Sequence, residues 1–128
     1  MVLVTDSPIN PSTVFDLLGR ENSGSAVFHY AVVKRNTGRQ CPTEYVEYLA
    51  QGDVMAELEV LASGLKERWL LDDVLMMRRI GRVPAGEIIS LVAATSPNSA
   101  DAFEASRYGT SLLKRMATIH KREVFGGS

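Results

Sequence analysis

Apolar and polar positions change their period several times along this chain, and each change marks an element. Val2, Leu3 and Val4 in "MVLVT" form a short valine-rich run that predicts a strand. In "NPSTVFDLLG" the spacing of Val14, Leu17 and Leu18 predicts a short helix, with Asn10 as its cap, Pro11 at its first position and Gly19 at its stop. "SAVFHYAVVKR" is rich in β-branched and aromatic residues and predicts a strand, which "NTGRQCP" ends as a loop. "TEYVEYLA" predicts another strand, half exposed, because Tyr45 and Glu47 alternate with Val46 and Tyr48. After Asp53, a suitable cap, Val54, Leu58, Leu61 and Leu65 recur with the helical period, which predicts a helix to about Trp69. "DDVLMMRRIG" returns to strand, and "RVPAGE", with Pro84 and Gly86, predicts a turn. "IISLVAAT" is apolar on both faces and of strand length, so it belongs in the middle of a sheet. "SPNSADAFEAS" opens the last helix, capped by Ser99, with Ala105, Tyr108, Leu112, Leu113 and Met116 along one side. The β-branched Thr118 and Ile119 predict an end near Ala117 and an extended segment beyond it.

The resulting order, β-α-β-β-α-β-β-α-β, mixes helices and strands, and hairpins outnumber crossovers. It predicts an α+β fold with a mostly antiparallel sheet and packed helices. With 128 residues, 45% of them hydrophobic, the chain suits one domain over 1–128 with a core that needs no disulfide. Cys41 is the single cysteine, which points to a reducing, cytoplasmic setting. "MVLVTDSPINPS" lacks the basic start and apolar run of a signal peptide, and no window is long and apolar enough for a membrane span.

Charge changes the picture more by its placement than by its sum, which is −1. Eleven of the 14 bases lie in three windows free of acids: Lys34, Arg35 and Arg39; Arg78, Arg79 and Arg82; Arg107, Lys114, Arg115, Lys121 and Arg122. If folding joins the windows they create a local positive field, suited to a small anion or an acidic partner tail. Nucleic acid fits less well, since tracking a phosphate backbone usually takes a basic domain. The competing reading is three ordinary solvated faces.

Candidate chemistry is sparse. There is no Gly-rich phosphate loop of standard spacing. His29, His120 and Cys41 are too few and too scattered for a metal cluster, so no metal and no cofactor is expected. The lysines remain. Lys114 lies near the end of the last helix and Lys121 on the extended segment after it, so a turn between them can aim both ammonium groups into one pocket. There they can hold an anion, or stabilise an oxyanion during acyl or thioacyl transfer. Equally, a basic helix end can simply complement the helix dipole.

Here the chain resembles a known family, the large, catalytic subunit of molybdopterin synthase, from about Ser25 to Glu123. "RRIGRVPAGE" is similar to the family's His-Arg-x-Gly turn ending in Gly-Glu, and "TSPNSADAFEA" to the entry into its long helix. "LLKRMATIHKRE" falls where the family has a lysine near the helix end and a Trp-Lys-Lys-Glu-like segment, and "VKRN" falls on its Val-Arg motif. The order and spacing of these pieces carry the resemblance.

The resemblance implies the α/β hammerhead type of fold and a sulfurtransferase that converts cyclic pyranopterin monophosphate into molybdopterin. The sulfur would come from a small ubiquitin-like subunit whose Gly-Gly tail ends in a thiocarboxylate. Two large subunits would form a homodimer, with a small subunit at each end of the heterotetramer. Carried over by position, the family's lysines fall on Lys114 and Lys121 as catalytic residues, and its strand arginine on Arg35 as a substrate-binding residue. The chain departs from the family pattern at Val32, Arg78, Asn98-Ser99 and His120, and implies a divergent or C-terminally short member. Arg78, Asn98, Ser99 and Arg107 are therefore the further substrate-binding candidates, the two arginines supplying charge. A second function of another class is a catalytically weak homologue that serves as a dimeric binding module for a Gly-Gly-tailed partner.

Overall fold

Strand β6 (Ile88–Ser96) is buried from Ser90 to Ser96, as its unbroken apolar run requires. In the computed structural model, which describes residues 1–35 and 41–126, it lies inside a four-stranded sheet. The strand order is β1 (Val2–Thr5), β4 (Asp73–Arg79), β6, β2 (Ser25–Val32). β1 and β4 run parallel; β4 with β6 and β2 with β6 run antiparallel. A second, three-stranded sheet has the order β5 (Gly81–Pro84), β3 (Thr43–Ala50), β7 (Ile119–Phe125), antiparallel throughout. Two helices, α1 (Val54–Arg68) and α2 (Ser99–Lys114), complete the α+β fold.

Period-2 alternation gives the larger sheet two apolar faces. Val74 and Met76 of β4 and Val92 of β6 face the helices, where they meet Val54, Leu58, Ala62 and Leu65 of α1 and Leu113 and Met116 at the end of α2. Leu75, Leu91 and Ala93 face the other way, against Val14 and Leu18. The smaller sheet has its own cluster of Val33, Val46, Tyr48 and Val83, and Ile119 packs on both this cluster and the helix-side core.

α1 starts where its sequence predicts. The Asp53 carboxylate accepts a hydrogen bond from the Ala56 amide at 3.0 Å, and the helix stops one residue before Trp69. α2 differs at both ends. Asn98 caps it by accepting from the Ala100 amide at 3.0 Å, so Ser99 is the first helical residue instead of the cap. It ends at Lys114, three residues before Ala117, where Arg115 leaves helical geometry. The "NPSTVFDLLG" segment folds as two 3₁₀ turns, Pro11–Thr13 and Phe15–Leu17, and not as one α-helix. The tighter turn buries Val14 and Leu18 and leaves Leu17 40% exposed. Part of "RVPAGE" is strand β5; it takes the edge of its sheet, where the missing Pro84 amide breaks no ladder. The expected loop through residues 36–40 lies outside the described residues. Among the described residues, no helix is long and apolar enough to cross a membrane.

α2 approaches the sheet at Gly109, where a Cβ would lie 2.9 Å from Val92 Cγ1 and 3.1 Å from Leu65 Cδ1. Gly64, on α1, has nothing within 4 Å of that position. Gly64→Ala is expected to stabilise the fold by about 0.5–1 kcal/mol through helix propensity. Gly109→Ala is expected to destabilise it by about 1–2 kcal/mol, because overpacking outweighs the same propensity gain. Urea denaturation of the two variants checks the opposite signs; two stabilising changes would show that α2 can lift off the sheet at no cost.

Candidate active-site cleft

β4 sends Val74, Met76 and then Arg78 to the helix-covered face of its sheet. The first two meet α1. Arg78 lies further along, at the junction with the smaller sheet, and only 7% of it is exposed. Its guanidinium carbon stands 4.6 Å from the centre of the Tyr48 ring, a cation–π contact, while its Nε has no hydrogen-bond partner. No carboxylate pairs with Arg78 among the described residues. Burial pulls its pKa down from the ordinary arginine value, and Tyr48 opposes that pull. Burial likewise pushes the Tyr48 phenol up; Arg78 lowers it and Glu123 raises it further.

Lys114 and Lys121 reach this place from two directions. Lys114 is the last residue of α2. Residues 115–118 turn the chain, and β7 starts at Ile119. Along β7, Ile119, Lys121 and Glu123 share one face, because successive side chains alternate. Ile119 packs on the core, which fixes that face inward. In the ladder Lys121 is opposite Tyr48 and Glu123 is opposite Val46. His120 and Arg122 therefore point to the other face, where Arg122 pairs with Glu47 at 2.7 Å.

Between the two sheets and the end of α2 lies a cleft of about 510 Å³. Among the described residues, Lys34, Arg78, Lys114 and Lys121 line it, with Glu123 as the one carboxylate. Neither Lys34, Lys114 nor Lys121 has an ion-pair partner among the described residues. Glu123 accepts a hydrogen bond from the Thr43 hydroxyl. Each of the three acid-free windows thus contributes to one site. Four cations around one carboxylate favour an anionic ligand, and the cleft wall excludes water from one side of it.

The remaining candidates lie elsewhere in the chain. Arg35 is exposed just past β2; it is next to Lys34 in sequence but does not line the cleft. Asn98 and Ser99 are at the opposite end of α2 from Lys114, about 23 Å away at 1.5 Å per residue. Arg107 is on the outer face of α2, 3.8 Å from Glu104. It borders a second hollow of about 480 Å³ between β2 and α2, which shares Thr110 and Lys114 with the cleft. Sequence reading missed Lys34, Tyr48 and Glu123 as cleft residues, choosing Arg35 where its neighbour Lys34 lines the cleft. The alternation of β7 was the signal that could have put Glu123 beside Lys121. Among the described residues, no group of three or more His, Cys, Asp or Glu is placed to hold a metal ion.

The family model described as "MoaE protein" matches residues 4–116. The chain is 30% identical over 125 residues to the molybdopterin synthase catalytic subunit of Caulobacter vibrioides, covering 96% of this chain and 82% of that protein. A solved molybdopterin synthase from Staphylococcus aureus superposes with a TM-score of 0.87 at 25% identity, covering 98% of this chain and 91% of the other. A protein–protein complex of subunits 1 and 2 of molybdopterin-converting factor from Helicobacter pylori shares the fold, with a TM-score of 0.76 at 14% identity and coverage of 97% and 84%.

Proposed function

The chain belongs to the MoaE protein family, and from that premise we propose that it is the catalytic subunit of a molybdopterin synthase. It takes sulfur from the C-terminal thiocarboxylate of a small ubiquitin-like partner and transfers it to cyclic pyranopterin monophosphate. One observation carries this reading: Lys34, Arg78, Lys114 and Lys121, from three separate parts of the sequence, converge on one cleft that holds a single carboxylate among the described residues. Both reactants are anions, one through its thiocarboxylate and the other through its phosphate, and convergent cations lower the cost of bringing them together.

In this reading Lys114 and Lys121 are the catalytic pair. Once the thiocarboxylate sulfur has bonded to the pterin, water attacks the acyl carbon; the ammonium groups stabilise the oxyanion that develops before the acyl–sulfur bond breaks, leaving the sulfur on the pterin and a carboxylate on the tail, and Lys121 also neutralises the pterin phosphate. Arg78 forms the buried wall against which an anion is fixed, and Lys34, next to Arg35 in sequence, is the base of that segment that lines the cleft. Arg107 shares with Lys114 only the neighbouring hollow between β2 and α2, outside the cleft, and Asn98 and Ser99 are too far along α2 to share a ligand with Lys114 of the same chain. They serve as binding residues only if a second copy presents its own α2 to the cleft. The proposed assembly is a homodimer with a small subunit at each end. Exposed Phe103, Leu70 and Val60 are consistent with covered surfaces of that kind. Free, exposed Cys41 suits the reducing cytoplasm.

The test is molybdopterin formation from cyclic pyranopterin monophosphate with a thiocarboxylated small subunit, run beside sedimentation of the mixture. Product formation by a complex containing two copies of this chain is the expected result. A complex that forms tightly and makes no product would favour the binding-module reading, and a chain that binds no Gly-Gly-tailed partner would remove both.

A further inference from the structure

The four residues between Lys114 and Ile119 set where both lysines point, yet they make no helix or strand of their own. They are held from outside the cleft. The Glu57 carboxylate, on the first turn of α1, accepts three hydrogen bonds from them. They come from the Ala117 amide at 3.0 Å, the Thr118 amide at 3.0 Å and the Thr118 hydroxyl at 2.6 Å. Gln51 closes the other side: its amide donates to the Thr118 carbonyl at 2.8 Å and its side chain to the Ala117 carbonyl at 2.9 Å. Gly52 makes room, since a Cβ there would lie 3.0 Å from Thr118 Cγ2. Every backbone hydrogen-bonding group of Ala117 and Thr118 is therefore taken by the corner between β3 and α1.

We infer that Glu57 is a positioning residue for sulfur transfer: it clamps the 115–118 turn so that Lys114 and Lys121 face one ligand. This rests on the assignment of the two lysines to the reaction. Glu57 is not among the residues that line the cleft, so it acts through the turn and not on the ligand. The geometry explains why an ionised carboxylate is needed. All three donors converge on the two oxygens of one group, and a carboxylate is acceptor-only. Burial alone would raise the Glu57 carboxyl, but the hydrogen bonds from Thr118 and Ala117 outweigh it and hold the group below its ordinary value. Glutamine keeps the shape but turns an NH₂ towards an N–H donor, so it cannot satisfy the set.

The experiment compares Glu57→Gln, Glu57→Asp and Thr118→Val with wild type by single-turnover product formation, affinity for the small subunit and amide hydrogen exchange. Glu57→Gln is expected to stay folded and to bind the partner within about twofold, because Glu57 lies away from the cleft. Its single-turnover rate is expected to fall about 10- to 100-fold, the scale of a misplacement near 1 Å. Exchange at Ala117 and Thr118 should speed up while Leu58 and Leu65 keep their protection. Thr118→Val, which loses one hydrogen bond of three, should fall between. Glu57→Asp, which keeps the carboxylate, should recover part of the rate. A folded Glu57→Gln protein with a rate within about twofold of wild type overturns the inference, as does a rate that falls only with the folded fraction. Exchange reads the clamp without chemistry. If wild type makes no product, the lysine assignment fails by itself, and unchanged exchange in Glu57→Gln is the result that removes the clamp.

Discussion

Lys114→Ala is expected to lower single-turnover sulfur transfer about 10²–10³-fold, roughly 3–4 kcal/mol, while changing affinity for the small subunit far less. Lys114 is exposed at the end of α2, lines the cleft, and has no ion-pair partner among the described residues. Its removal leaves no buried group stranded and should barely affect the fold. A single ammonium acts on a small developing charge, whereas the partner interface spreads its energy over many contacts. Lys114→Arg is not expected to restore the rate, since a planar, always-charged guanidinium cannot replace a compact point charge that can also pass a proton. Lys121→Ala should fall similarly but partly through substrate binding, so raised salt should mask part of its effect. Single-turnover kinetics beside partner affinity decide the matter. A Lys114→Ala rate within about twofold of wild type would sink the catalytic assignment and favour the binding module.

Arg78→Met is expected to move stability and ligand binding in opposite directions. Arg78 is only 7% exposed as a residue and its Nε lacks a partner, so the ligand-free protein carries an incompletely compensated charge. The Tyr48 contact offsets part of that cost, on the order of 2 kcal/mol for a desolvated cation–π pair. Methionine fills similar volume without a charge, and replacing buried ionic groups by apolar ones often stabilises by about 1–4 kcal/mol. A gain of about 1–2 kcal/mol in unfolding free energy is therefore expected. Binding of the pterin phosphate should weaken about 10- to 100-fold, the share of one charge-assisted hydrogen bond. Urea denaturation of the free protein and titration with the phosphorylated substrate read the two effects separately. A variant that loses stability and keeps its affinity would make Arg78 a structural residue.

Much of the fold was legible because local chemistry and tertiary packing agree. The Val54, Leu58 and Leu65 stripe became the buried side of α1, and "IISLVAAT" became the buried middle strand β6. Where they disagreed, packing won. Val14 and Leu18 are buried as expected, but 3₁₀ turns bring them there. Val83 reads as part of a turn, yet pairing with Val46 makes a strand of it.

The site divides in the same way. By itself the sequence determined that the bases fall in three acid-free windows, that Lys114 lies near the end of a helix and Lys121 follows on an extended segment, and which family the chain resembles. Those are properties of composition, spacing and local period, which need no knowledge of distant contacts. Only the tertiary structure decided which bases share a cleft. The windows lie tens of residues apart, and nothing local tells Arg78, stacked on Tyr48, from Arg82, or Lys121 from Arg122 paired with Glu47. Strand pairing selects alternate side chains, so one residue of register separates a cleft cation from a solvated one. The same holds for Glu57, an ordinary acid in the first turn of a helix until the fold brings Ala117 and Thr118 against it.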